Sequence, residues 1–124
     1  MPELIYKEKS YQIIGACMEV HQELGRGFDE IVYKDALQYE FKSANIPFER
    51  ERKYDIQYKS VILPHQFYAD FVVFGKIILE VKAVRVLTKS HTKQTMNYLA
   101  ASGLKLGLLV NFGESSLNHK RIVL

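Results

Sequence analysis

Apolar positions recur at helical spacing from Ser10 to about Leu24, with Ile13, Cys17, Val20 and Leu24 on one face and Gln12, Glu19 and Glu23 elsewhere. This predicts an amphipathic helix ended by "GRG", Gly25 to Gly27. Asp29 is placed to cap a second helix to about Asn45, with Tyr33, Leu37, Phe41 and Ala44 inward and Pro47 as the stop.

The period then changes to two. In "FERERKYDIQYK", Phe48, Tyr54, Ile56 and Tyr58 alternate with charged and polar positions, predicting a strand with one wet side. "FYADFVVF" and "KIILEVKAV" follow as a hairpin of β-branched and aromatic residues, expected at the centre of a sheet. After Thr88, a candidate cap, a third helix runs to Ser102 and ends at Gly103. "LKLGLLVNF" predicts a fourth strand and "HKRIVL" a short terminal one. The order implies an α/β fold: a mixed central sheet flanked by helices, an αβββαβ core with an additional N-terminal helix.

Three charged residues interrupt the apolar hairpin. With a turn centred on Gly75, Asp70 lies opposite Glu80, roughly 4.5–5.5 Å apart at Cβ, where like charges destabilise a pair. This requires an odd-length loop or a bulge, because a two-residue Gly75-Lys76 loop would set Asp70 opposite Val81. Lys82 shares the face of Glu80, so it is expected to approach both carboxylates, while Val81 points away with Leu79 and Ile77. Two all-oxygen ligands on adjacent strands, with the Val81 carbonyl, suit a hard cation such as Mg²⁺ or Mn²⁺.

Two further polar patterns stand on helices. Glu30 is on the inward face with Tyr33, Leu37 and Phe41, while His91, Gln94 and Tyr98 form a stripe on the third helix. On the residues alone, plainer readings stay open. Asp70, Glu80 and Lys82 fit a structural ion-pair cluster. Glu30 fits an acid stabilised in a first helical turn by about 0.3–1 kcal/mol. Gln94 and Tyr98 fit ordinary helix–sheet packing.

Length and composition narrow the classes. The chain has 124 residues, 48% hydrophobic, which suits one domain over residues 1–124. A net charge of +3 permits polyanion binding without requiring it. Cys17 is the single cysteine, so no intrachain disulfide forms and a cytoplasmic setting is expected; no membrane span is read. "MPELIYKEKS" reads as a short arm without a targeting role. His21 and His65 lack metal-ligand spacing, Cys17 lacks an evident base partner, and no phosphate-binding glycine loop follows a strand, which points away from zinc, thiol and nucleotide-cofactor chemistry.

Asp70 followed by Glu80-Val81-Lys82 resembles the D…ExK signature of the PD-(D/E)XK nuclease superfamily, and Gln94-x-x-x-Tyr98 resembles the QxxxY motif of its RecB-like branch. More narrowly, Gly27-x-x-Glu30-x-x-Tyr33 is similar to the signature of the GxxExxY proteins of that superfamily. Ala69 replaces the proline of the superfamily's name, a position that varies. The resemblance implies a metal-dependent nuclease hydrolysing phosphodiester bonds, with DNA favoured over RNA. It implies Mg²⁺ or Mn²⁺ held by Asp70, Glu80 and the Val81 carbonyl, with Glu30 as a direct or water-mediated ligand. Lys82 would orient the attacking water and stabilise developing charge, and Gln94 and Tyr98 would position phosphate or support Lys82. A homo-oligomer or a protein partner would supply specificity. The alternative class is a non-catalytic nucleic-acid-binding or interaction module that retains the fold.

Overall fold

The computed structural model describes residues 5–124. Its elements are α1 (Lys7–Leu24), α2 (Glu30–Ser43), β1 (Phe48–Tyr58), β2 (Val61–Val73), β3 (Ile77–Lys82), α3 (Lys89–Ser102), β4 (Leu106–Asn111) and β5 (Asn118–Val123). The sheet runs in the order β1-β2-β3-β4-β5. All neighbours are antiparallel except β3 and β4, a parallel pair that needs a crossover, which α3 provides. This is the mixed α/β sheet flanked by helices that the periodicity implies.

The faces of the sheet divide the helices. Ile13, Cys17 and Val20 of α1 and Tyr33, Leu37 and Phe41 of α2 pack on Phe71, Val73, Ile77, Leu79, Val81, Leu108 and Val110. Tyr98 and Leu99 of α3 cover Val72, Ile78, Leu109 and Ile122 on the other face. Burying each large apolar side chain contributes about 1.5–3 kcal/mol, so strands covered on both faces form the most stable part of the molecule. Gly107 lets α3 lie close on β4, since a Cβ there would meet Thr95 Cγ2 at 2.7 Å.

Several boundaries differ from the sequence reading. Of the stretch read as an arm, residues 1–4 lie outside the described residues and Lys7 already opens α1. Ala44, expected inward, is the exposed C-cap of α2, because the helix ends before that position completes the stripe. β2 begins at Val61, six residues before the predicted start, and pairs with β1 as a largely exposed ribbon. Among the described residues no helix is long and apolar enough to cross a membrane.

Candidate active site

The hairpin of β2 and β3 sets the site. The loop is Phe74–Lys76, three residues, closed by the Lys76 amide donating to the Val73 carbonyl at 3.1 Å. Phe74 and Gly75 take φ of 59° and 66°, a turn in which glycine costs least. Its odd length pairs Val73 with Ile77, Val72 with Ile78 and Phe71 with Leu79. The next position in that register is Asp70 with Glu80, as the glycine-centred reading requires.

At that position the ladder stops and the side chains take over. The Asp70 amide donates to Glu80 Oε2 at 2.8 Å, and the Val81 amide donates to Asp70 Oδ2 at 2.8 Å. Each carboxylate therefore satisfies a backbone donor of the opposite strand. On the other side of β2, Glu51 of β1 stands between the Arg50–Phe71 and Arg52–Ala69 pairs with φ of 54°, so β1 is also distorted beside Asp70. Amide and carbonyl of one strand residue point to the same edge, so the Val81 carbonyl faces the gap that its amide faces.

Both acids are buried: Asp70 is 8% and Glu80 2% exposed. Burial, then the neighbouring Asp70 charge, pushes the Glu80 carboxyl well above the usual carboxylate range, although the Asp70 amide, Lys82 and Lys34 oppose the shift. Burial and the charges of Glu80 and Asp70 push the Tyr98 hydroxyl up to about 12. Tyr98 thus feels the acid pair from α3 and remains a proton donor at neutral pH, its ring edge-on to Phe67 at 5.6 Å.

The cation beside Asp70 is Lys34, where the sequence points to Lys82. Lys34 Nζ lies 2.8 Å from Asp70 Oδ1 and 3.1 Å from Glu51 Oε1. Burial lowers its ammonium's affinity for a proton, but the bonds and charges of Asp70 and Glu51 outweigh that and raise the pKa. Lys82 instead donates to Gln94 Oε1 at 2.9 Å, joining β3 to α3. It forms no ion pair among the described residues, because Gln94 holds its ammonium toward α3. Glu30 heads α2 one turn before Lys34, without an ion pair or side-chain hydrogen bond among the described residues. No cluster of three or more His, Cys, Asp or Glu side chains suited to a metal ion occurs among them.

Other residues of the polar patterns hold the frame. The Tyr33 hydroxyl donates to the Gly25 carbonyl at 2.7 Å and accepts from the Phe28 amide at 3.2 Å, and its ring stacks on Phe112 at 4.6 Å. This ties the α1–α2 turn, where Gly27 has φ of 117°, and so fixes where Glu30 and Lys34 begin. His91 Nδ1 accepts from the Thr88 amide at 3.0 Å and caps α3.

Asn111 and Lys34 escaped the sequence reading. Asn111 Oδ1 accepts from the Val84 and Gly113 amides at 2.9 and 3.0 Å, and its Nδ2 donates to the Val84 carbonyl at 2.8 Å and Glu114 Oε2 at 2.7 Å. It pins the chain just beyond Lys82, where a Cβ on Gly113 would overlap the Val84 backbone. An asparagine inside the apolar run "LLVNF" was the available signal. For Lys34 it was the stripe Glu30, Lys34, Leu37, Phe41, at four-, three- and four-residue steps.

A family model described as the PD-(D/E)XK nuclease superfamily matches residues 7–122. The chain belongs to that superfamily. As a PD-(D/E)XK protein it also resembles the solved structure titled "Crystal structure of SSO0001", with a TM-score of 0.54 and 16% identity over 94% of this chain and 77% of that one. This likeness speaks for the shared fold alone. No curated protein matches the chain. The donor set of this PD-(D/E)XK chain fits the divalent metal its superfamily typically uses: two carboxylates and a carbonyl, all oxygen, gathered where an ammonium already stands as a cation.

Proposed function

We propose that the protein is a nuclease of the GxxExxY kind that hydrolyses phosphodiester bonds, of DNA ahead of RNA, with Mg²⁺ or Mn²⁺. The observation that carries this reading is the reciprocal exchange between Asp70 and Glu80 at the end of the β2–β3 ladder. It concentrates carboxylate oxygens in a gap that the Val81 carbonyl also faces, with Lys82 one residue further along β3.

Asp70, Glu80 and Val81 are the residues that would hold the cation, with Glu30 able to contribute from the head of α2 through water. A bound cation supplies Lewis acidity, activating water and neutralising charge that develops on phosphate. Lys82 orients the attacking water and stabilises the extra negative charge on the phosphoryl oxygens as the bond to the leaving oxygen breaks. Gln94 holds the Lys82 ammonium in place, and the protonated Tyr98 hydroxyl donates to a phosphate oxygen. Recognition of sequence falls to a second copy or to a protein partner, in a cytoplasmic setting.

One observation favours a second reading. Lys34 already neutralises Asp70, as it would in a non-catalytic nucleic-acid-binding module whose metal site is idle. Labelled single- and double-stranded DNA and RNA incubated in Mn²⁺, Mg²⁺ and EDTA separate the two. Cation-dependent cleavage supports the nuclease; retardation of the same probes without cleavage supports the module.

A further inference from the structure

The Lys34 ammonium occupies the place where a metal-holding acid would meet its cation. It comes from α2, outside the motif residues, and reaches Asp70 Oδ1 at 2.8 Å while its own side chain is only 13% exposed. On its other side, Glu51 Oε1 accepts the same ammonium at 3.1 Å from a side chain 49% exposed, at the rim of the site. The irregular backbone of Glu51 stands opposite Asp70, so the two acceptors lie side by side along one short path for Nζ.

A divalent cation and an ammonium seek the same carboxylate oxygens and repel each other at contact distance. Resting on the nuclease reading of the site, we propose that Lys34 is a tethered cation that holds Asp70 in the metal-free protein and competes directly with the divalent metal for it. Glu51 is the seat that receives Lys34 when the metal takes Asp70. The pair Lys34–Glu51 thereby sets how much free metal the site requires before it loads.

Calorimetric titration of the full chain with Mn²⁺ alone tests this. Lys34→Met is expected to bind Mn²⁺ at least about tenfold more tightly than wild type, with Lys34→Gln as the second variant should Lys34→Met fail to fold. Glu51→Gln removes the alternative seat, so it is expected to weaken Mn²⁺ binding when Lys34 is present and to leave it unchanged in the Lys34→Met background. Equal or weaker binding by both Lys34 variants overturns the competition while leaving the metal site standing. An equal loss from Glu51→Gln in both backgrounds also overturns it, since that marks Glu51 as a general source of negative charge. Absence of Mn²⁺ binding in wild type and variants alike overturns both this proposal and the nuclease reading.

Discussion

Asp70 and Glu80 each hold a backbone amide across the hairpin: the Asp70 amide reaches Glu80 Oε2, and Asp70 Oδ2 takes the Val81 amide, both at 2.8 Å. The two acids therefore end the β2–β3 ladder and remain together in spite of their like charge. That arrangement has consequences for pH, metal and stability.

Burial and the Asp70 charge raise the Glu80 carboxyl well above the usual range, so the folded protein holds that proton more tightly than the unfolded chain. The stabilisation is fully present below the unfolded value of about 4.3 and is lost as pH rises through the raised folded value. Glu80→Gln keeps an acceptor for the Asp70 amide without the charge. In EDTA it is expected to match wild type in acid and to be the more stable of the two at pH 8. Urea unfolding across that range measures the difference.

A cation bound only to the native state raises the melting temperature. At a concentration about 100 times its dissociation constant the gain is about 2.7 kcal/mol. Mn²⁺ is expected to produce such a rise in wild type and none in Asp70→Asn. Scanning calorimetry with and without EDTA reads both.

Tyr33→Phe preserves the stack on Phe112 but removes the hydroxyl that serves the Gly25 carbonyl and the Phe28 amide. A loss of about 1 kcal/mol is expected. Cleavage is expected to fall with it, because the turn that the hydroxyl ties sets the start of α2 and hence Glu30 and Lys34. Denaturant unfolding and initial cleavage rates report the two effects.

Asn111 is fully buried, and its side chain joins the Val84 backbone, the Gly113 amide and Glu114. Asn111→Ala removes the partner of the Val84 amide and carbonyl and of the Gly113 amide, while Glu114 keeps Asn118 Nδ2, and is expected to cost about 3 kcal/mol or more. Asn111→Asp sets a second carboxylate oxygen against the Val84 carbonyl and Glu114 Oε2, so it is expected to recover none of that loss at neutral pH. Thermal unfolding of both variants ranks them.

The sheet was legible because its signals are local. Loop parity around Gly75 placed Asp70 against Glu80, and Thr88 and Gly103 bounded α3 as the structure has it. The early half of β2 was not, since Pro64 and the exposed Val61, Ile62 and Leu63 lack the alternation of a half-buried strand. The candidate site was legible in its acids but not in its cation. Lys82 follows Glu80 on one face, yet which ammonium reaches Asp70 depends on how α2 packs over the sheet, and strand periodicity carries no information about that. Tyr33 stood out for its spacing with Gly27 and Glu30, while its bonds to the α1–α2 turn depend on a contact eight residues back along the chain.

Metal-dependent phosphodiester cleavage by the Asp70–Glu80 pair is tested most directly by comparing wild type, Glu80→Gln and Lys82→Ala on one labelled duplex in saturating Mn²⁺, with each protein's fold verified by its melting curve. Catalysis by this pair requires cleavage by wild type that EDTA abolishes, and a loss of at least about a hundredfold in each folded variant. Cleavage that persists at the wild-type rate in Glu80→Gln or in EDTA would contradict it.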